Sequence, residues 1–376
     1  MRIGIEAQRI FRENKHGMDF VALESIREIQ KIDKINEYFI FVSPGKDRCL
    51  EESDNVHIIE INFPFYPLWE QLFLPLTAKK YNLDLLHCTS NTAPLFPPCP
   101  MIVTLHDIIF LEKRQSSNMS LYQEFGWYYR KLIVPLILPK CKKIITVSNF
   151  ECNRIKERLN LSSEKITAIY NAYNPHFVPI SKDTSVTKKY IDSDEFIFFL
   201  GNTDPKKNVA RTLKAYSLYL EKSTKKLPLL IADLSEENLD KILKEKNIAN
   251  IKKHLAFPGY IYNTDLAQIY NSANIFIYTS LRESFGIPIL EAMASGTPVL
   301  TSNTSAMPEI AGEGGVFADP LDENDIASKL LKLEGDPDFY QQQVEYGLDR
   351  AKAFSWENTA KKLIELYKII TNLQKD

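Results

Sequence analysis

Short apolar runs rich in Ile, Val, Phe and Tyr recur from end to end, separated by stretches in which apolar residues return every three or four positions. The runs predict strands over Arg2–Ala7, Tyr38–Val42, Val56–Ile61, Leu85–Cys88, Met101–Leu105, Lys143–Val147 and Lys165–Tyr170. After a break they resume at Phe196–Leu200, Leu227–Ala232, Ile251–Phe257, Ile275–Tyr278, Pro298–Thr301 and Gly315–Ala318. Between the first two strands, Val21, Ala22, Ser25, Ile26 and Ile29 fall on one helical face. Strands alternating with helices predict an α/β protein with parallel sheets covered on both faces, and two such series predict two doubly wound domains. The break lies in Pro175–Asp194, which carries two prolines and a polar run without periodicity. The expected division is a first domain over 1–178, a linker over 179–194, a second domain over 195–354 and a closing segment over 355–376. In that segment Ser355 suits an N-cap, and Ala360, Leu363, Ile364, Tyr367 and Ile370 form an apolar stripe.

A length of 376 residues suits two domains of ordinary size. The 46 Lys and Arg against 48 Asp and Glu give a net charge of −2, so bulk charge does not argue for nucleic-acid binding. Cys49, Cys88, Cys99, Cys141 and Cys152 form no C-x-x-C pair, which fits a reducing compartment better than a disulfide or zinc scaffold. No apolar run reaches the roughly 18–20 residues of a membrane span, and Met1–Ala7 reads straight into a strand. The expectation is a cytoplasmic protein, at most peripheral at the inner face of a membrane. The aromatic run from Phe63 to Trp69 suits core packing, with contact to a membrane-borne acceptor as a second use. No G-x-G-x-x-G follows Ile3–Ala7 or Phe196–Leu200, and no P-loop occurs, which disfavours NAD enzymes and P-loop NTPases.

Two doubly wound domains predict a ligand at the carboxyl ends of strands. The segment from Tyr278 to Val299 is the most informative. Pro288 suits the first turn of a short helix and Gly296 its C′ position, so the backbone N–H groups of Phe285, Gly286 and Ile287 open a helix whose dipole favours an anion. Glu291, one turn in, suits two vicinal hydroxyls such as ribose offers, and Glu283 reaches from the loop. Taken alone, these read more readily as a solvated loop charge and a dipole-matched helix acid. After the strand ending at Leu200, Gly201-Asn-Thr-Asp-Pro-Lys-Lys-Asn combines a glycine turn with Lys206 and Lys207, point charges suited to a diphosphate or to plain solvation. His106 and Asp107 follow a first-domain strand at its carboxyl end. The other histidines have no metal-ligand spacing.

The block Glu283-Ser-Phe-Gly-Ile-Pro-Ile-Leu-Glu291-Ala-Met-Ala-Ser-Gly-Thr-Pro-Val resembles the E-x₇-E signature of the retaining family 4 glycosyltransferases. Ile3-Gly-Ile-Glu-Ala with His16-Gly-Met, Trp69-Glu-Gln-Leu-Phe-Leu-Pro, Thr104-Leu-His-Asp, Thr146-Val-Ser-Asn and Tyr170-Asn-Ala-Tyr-Asn resemble the family's earlier blocks. Gly201-Asn-Thr-Asp-Pro-Lys-Lys-Asn, Phe257-Pro-Gly-Tyr, Met307-Pro-Glu and Phe354-Ser-Trp-Glu continue the series in the family's order. The resemblance implies a GT-B fold of two Rossmann-like domains facing across a cleft, with the last helix crossing back to the N-terminal domain.

For the site, the resemblance implies that Glu291 holds ribose and that Glu283, with the amides from Ser284 to Ile287, holds the donor sugar. It assigns Lys207 to the diphosphate, His106 to the transferred sugar, and Gly17 to an approach of the phosphate from the first domain. Catalytic roles fall to His106, Lys207 and Glu283; donor binding falls to these last two with Gly17, Gly201, Lys206, Ser284, Phe285, Gly286, Ile287 and Glu291. Three positions depart from the pattern. Lys206 occupies the arginine position of a Pro-Arg-Lys-Asn motif found in the mannosyltransferase-like branch and lacks its bidentate geometry towards the phosphates. Asn202 stands where many members have arginine, and Ser284 where glycine is common, which matters only if that position needs positive φ.

The implied reaction is anomer-retaining, metal-independent transfer of a hexose from a nucleotide diphosphate sugar to a saccharide or lipid-linked acceptor, in bacterial surface polysaccharide synthesis. The mannosyltransferase-like form of the lysine loop favours GDP-mannose over a UDP-hexose. No cofactor, metal or nucleic acid is expected; Asp192-Ser-Asp194 lies before a strand, the wrong end for a metal-diphosphate site. The rival functions are an inactive nucleotide-sugar-binding partner and a GT-B epimerase.

Overall fold

The computed structural model describes residues 1–112 and 121–372. The chain forms two compact domains, Met1–Asn171 with Trp356–Asp376, and Ala172–Ser355.

The first domain is built on a seven-stranded, all-parallel sheet. Its strands are β1 (Arg2–Glu6), β2 (Glu37–Val42), β3 (Val56–Glu60), β4 (Leu85–Cys88), β5 (Met101–Thr104), β6 (Lys143–Thr146) and β7 (Ile166–Ala168), in the order β3-β2-β1-β4-β5-β6-β7. The second sheet contains β8 (Ile197–Leu200), β9 (Leu229–Ala232), β10 (Leu255–Gly259), β11 (Ile275–Tyr278), β12 (Val299–Ser302) and β13 (Gly315–Ala318), also parallel, in the order β10-β9-β8-β11-β12-β13. In each sheet the order reverses beside the first strand, which makes a switch point of the doubly wound kind.

The unbroken apolar strands follow from burial on both faces. Ile197, Phe199, Leu229, Ile231, Ile275 and Ile277 pack into one core layer of the second domain, while Phe196, Phe198, Leu230, Phe276 and Tyr278 pack into the layer opposite. Successive side chains point to opposite faces, so both members of the alternation must be apolar. In the first domain, Ile3, Ile5, Ile40 and Leu85 face one layer, and Phe39, Phe41, Leu86 and Val103 the other.

Two expectations about boundaries need correction. The domains meet at Asn171–Ala172, and the stretch expected as a linker over 179–194 belongs to the second domain. Phe177 and Ile191 are buried in its core, and Ile180 N–H donates to Asn271 Oδ1 at 2.8 Å. The expected strand Ile251–Phe257 begins only at Leu255, because Ala249–His254 is a 3₁₀ turn whose Ile251 fills the core. The closing helix, Trp356–Asn372, packs its apolar stripe into the first domain, where Tyr367 O–H meets His87 Nδ1 at 2.7 Å. Among the described residues no helix is long and apolar enough to cross a membrane.

Candidate active site

In the second domain the site is assembled at the carboxyl ends of β8 and β11. Asp204 caps the 3₁₀ turn Pro205–Lys207 by accepting from Lys206 N–H at 3.0 Å. Asn208 then takes a left-handed conformation, φ 57°, and its buried amide donates to Thr279 O at 3.1 Å and Pro320 O at 2.7 Å. Leu281 N–H donates to Lys206 O at 2.7 Å. The lysine turn is thereby fixed to the chain that leaves β11. Lys207 Nζ lies 2.8 Å from Glu283 Oε1 and 3.0 Å from Tyr278 Oη, and 4.7 Å above the Tyr278 ring.

Glu283 is held from behind by Ser305, whose hydroxyl accepts from Glu283 N–H at 3.1 Å and donates to its carbonyl at 2.6 Å. Burial alone would raise the Glu283 pKa, but Lys207 and Lys206 outweigh it and hold the carboxyl below its usual range. The Glu283 carboxyl is thus ionised at neutral pH. Lys206 is more exposed and sits 3.7 Å from Asp204 Oδ2.

The helix Ile287–Ala294 follows. Gly286 enters it at φ 104°, a conformation that L side chains rarely adopt, and Pro288 sits in its first turn. At the other end Gly296, φ 81°, is at C′; its N–H donates to Met293 O and that of Thr297 to Ala292 O, which is a Schellman closure. Ser284 is not in the left-handed region, so serine is accommodated there without backbone strain. Phe285 is buried edge-on against Phe354. Glu291 does not pair with Glu283: its Oε2 accepts from Tyr270 O–H at 3.1 Å, and burial raises its pKa to about 7. A Cβ at Gly201 would lie 3.0 Å from the Phe199 ring and 3.2 Å from Ile231, so a larger residue there needs those side chains to give way.

In the first domain His106 follows β5. Its N–H donates to Asn91 Oδ1 at 2.6 Å, and its Nε2 lies 2.9 Å from Thr89 O. A carbonyl only accepts, so Nε2 carries the hydrogen and Nδ1 presents a lone pair. Burial lowers the His106 pKa, which keeps the ring neutral at pH 7. Thr89 is held in turn by Glu6, a buried carboxyl at the end of β1 that accepts from Thr89 N–H at 3.2 Å and from Gln8 N–H at 3.0 Å. Burial, opposed by those bonds, raises the Glu6 pKa to about 7. Gly17 opens the helix Gly17–Ile32, and a Cβ there would meet no atom within 4 Å.

The chain matches two family models, Glycosyltransferase Family 4 over residues 21–177 and Glycosyl transferases group 1 over 181–350. Together they span both domains. The chain belongs to the family 4 glycosyltransferases.

Among curated relatives of this family 4 chain, it is 31% identical to O-antigen chain mannosyltransferase B of Escherichia coli, over 62% of each chain. It is 30% identical to the serotype-specific mannosyltransferase WbdA of Escherichia coli over 71% of its own length and 33% of the relative's. The matched stretches thus cover less than two thirds of these relatives. Among solved structures, HepE of Anabaena in complex with UDP and glucose superposes with a TM-score of 0.75 at 15% identity, covering 98% of this chain and 99% of that one. This likeness bears on the fold, which is α/β with two Rossmann-like parallel-sheet domains of the GT-B type.

Several residues that build the candidate site stand in no block read from the sequence: Ser305 behind Glu283, Tyr270 on Glu291, and Thr89 and Asn91 around His106 are recognised only from their contacts. Glu6 and Tyr278 stand within such blocks, but their contacts with Thr89 and Lys207 are visible only in the fold. Asn208 was within reach, since an asparagine after a lysine turn suits a left-handed residue. Asp192 and Asp194 are exposed ahead of β8, away from the strand ends that carry the lysines.

Proposed function

We propose that this protein is a retaining hexosyltransferase that moves mannose from GDP-mannose, or a hexose from a UDP-sugar, to a saccharide or lipid-linked saccharide acceptor in bacterial surface polysaccharide synthesis. The observation that carries the proposal is the Lys207–Glu283 pair set beside the Gly286 helix start. It presents a fixed cation and helix-opening amides where a departing diphosphate gains charge. The names of the mannosyltransferase relatives support mannose. Glu291 accepts from ribose, Glu283 and the helix start take the donor sugar, and His106 Nδ1 accepts from the transferred sugar. The leaving phosphate oxygen takes the acceptor proton, so no enzyme nucleophile is required. Lys206 and Lys207 supply the positive potential, and transfer proceeds without a divalent metal. Gly17, open to solvent and free of packing demands, is kept small for the donor phosphate. The test is a hexosylated acceptor formed from donor in excess chelator, with no donor conversion when acceptor is omitted.

Glu291 provides a separate check on nucleotide binding. With a free-state pKa of about 7 it is mostly protonated near pH 6, yet ribose hydroxyls are best held by the carboxylate. Binding an intact nucleotide sugar, whose phosphodiester groups do not titrate in this range, is therefore expected to release close to one proton at pH 6. Affinity should rise with pH and level off above 7. In the free protein the same shift costs stability as pH rises from 4.5 to about 7, because the unfolded carboxyl ionises first. Calorimetry in two buffers of different ionisation enthalpy measures the released proton; equal release by Glu291→Gln would remove Glu291 from the ribose site.

A further inference from the structure

Three neighbouring elements of the first domain leave apolar side chains in solvent. The helical run Tyr66–Lys79 is continuous through a π-turn at Trp69–Phe73 and exposes Leu68, Leu72 and Leu76, one above the other at i, i+4 spacing. The helix Leu121–Ile137 exposes Phe125, Tyr128, Leu132 and Leu136, again one stripe, with Leu132 64% exposed. The loop between β4 and β5 adds Phe96, 79% exposed. Side chains aligned at helical spacing would ordinarily face a core; here the core-facing positions are filled by others, namely Trp69, Leu74, Ile133 and Val134.

The three elements are fixed to one another. Phe65, immediately before the first, lies 5.7 Å from Phe125 of the second, ring centre to ring centre. Beneath them the buried Glu70 carboxylate accepts from Tyr66 O–H, Thr92 O–H, Tyr129 O–H and Gln71 Nε2, while Gln71 also donates to Ala93 O at 3.0 Å. Lys140 Nζ donates to Leu95 O at 2.7 Å and lies 4.6 Å above the Phe96 ring. The apolar stripes are therefore held on one network rather than on separate loops.

Charge around this face has a single dominant sign. Over 61–81, 92–100 and 124–143, Lys79, Lys80, Arg130, Lys131, Lys140, Lys142 and Lys143 stand against Glu124 and the enclosed Glu70, in a chain whose net charge is −2. Lys79 and Lys80 continue the Leu68–Leu76 stripe, and Lys140 lies in the turn just past the end of the Leu132–Leu136 helix and over the Phe96 ring, so cations sit beside the ends of the apolar rows. Aromatic and leucine side chains with lysines at the ends of their rows match an anionic lipid surface: the apolar row enters the acyl boundary and the ammonium groups meet headgroup phosphates.

We infer that this face docks the protein on an anionic membrane, through the Leu68–Leu76 and Phe125–Leu136 stripes together with Phe96. The inference deepens the lipid-linked acceptor of the proposed function, since docking would bring the first domain to an acceptor held in the bilayer. Its test uses neither donor nor acceptor, so its failure and a failure of transfer are told apart.

The full chain is sedimented with vesicles of phosphatidylglycerol mixed with phosphatidylcholine, and with phosphatidylcholine alone. The expected result is binding that favours the anionic vesicles and weakens with salt. The double variant Leu72→Glu/Leu132→Glu should lower partitioning at least about 10-fold with an unchanged melting temperature, because both positions are exposed. Lys131→Glu/Lys140→Glu should abolish the preference for anionic lipid. Absence of binding, or equal binding by wild type and both variants, overturns the inference. So does a dimer in solution that the leucine variant dissociates, which would make the face a contact between copies of the chain.

Discussion

Replacing Lys207 with methionine is expected to lower kcat by about 10²- to 10³-fold, the usual cost of losing one preorganised group that faces developing charge. The same substitution strands Glu283 in the protein without its cation. Removing one partner of a buried pair costs roughly 3–5 kcal/mol, and these side chains, 16% and 13% exposed, belong near the lower end. The pH dependence follows from Glu283. Its folded pKa is depressed below 4.5, so the pair stabilises the fold above that value, and this stability is lost as pH falls through the folded pKa. Lys207→Met should flatten that acid limb. Lys207→Arg restores the charge but not the compact ammonium, so it should recover stability and only part of the rate. Turnover is compared per folded molecule below each melting transition. Wild-type kcat in folded Lys207→Met would reduce the lysine to a structural partner of Glu283.

His106→Ala is expected to lower turnover by about 10²-fold while the affinity for free nucleoside diphosphate stays unchanged, because His106 belongs to the first domain and the proposed nucleotide site to the second. A fall in melting temperature will accompany it: the variant leaves Thr89 O without its donor, at roughly 1–3 kcal/mol. A stability loss therefore does not distinguish a catalytic histidine from a packing one. His106→Gln does, because its amide N–H can replace Nε2–H towards Thr89 while nothing replaces Nδ1. Restored stability with low turnover is the expected outcome. Restored turnover would mean that His106 serves only to hold the Thr89 loop.

The strand series was legible because each strand is covered on both faces, and only uninterrupted apolar runs satisfy that arrangement. The same logic explains Ile251, which is apolar for the core but sits on a 3₁₀ turn that periodicity over so few residues does not separate from a strand. The domain boundary was misplaced because Pro175, Pro179 and the polar run after them have loop composition, whereas their membership is set by Phe177 and Ile191, far along the chain from the residues they touch. Within the site, Lys207, Glu283 and Glu291 stand in motifs, but motif spacing alone does not show that Glu283 pairs with Lys207 while Glu291 turns to Tyr270. The supports of His106 are spread over Glu6, Thr89 and Asn91, at the ends of two other strands. They become visible only when the parallel sheet brings those ends together.

The proposed reaction is transfer with retention, driven by protein cations at the departing diphosphate. Its most direct measurement is a proton NMR time course of the purified protein with GDP-mannose or a UDP-hexose and a saccharide acceptor, in excess chelator, following the anomeric signal of the first product formed. The expected result is an acceptor glycoside with the donor's α configuration, appearing together with nucleoside diphosphate and only when acceptor is present. A β-configured product, turnover that requires added magnesium or manganese, or conversion of donor without acceptor would contradict it.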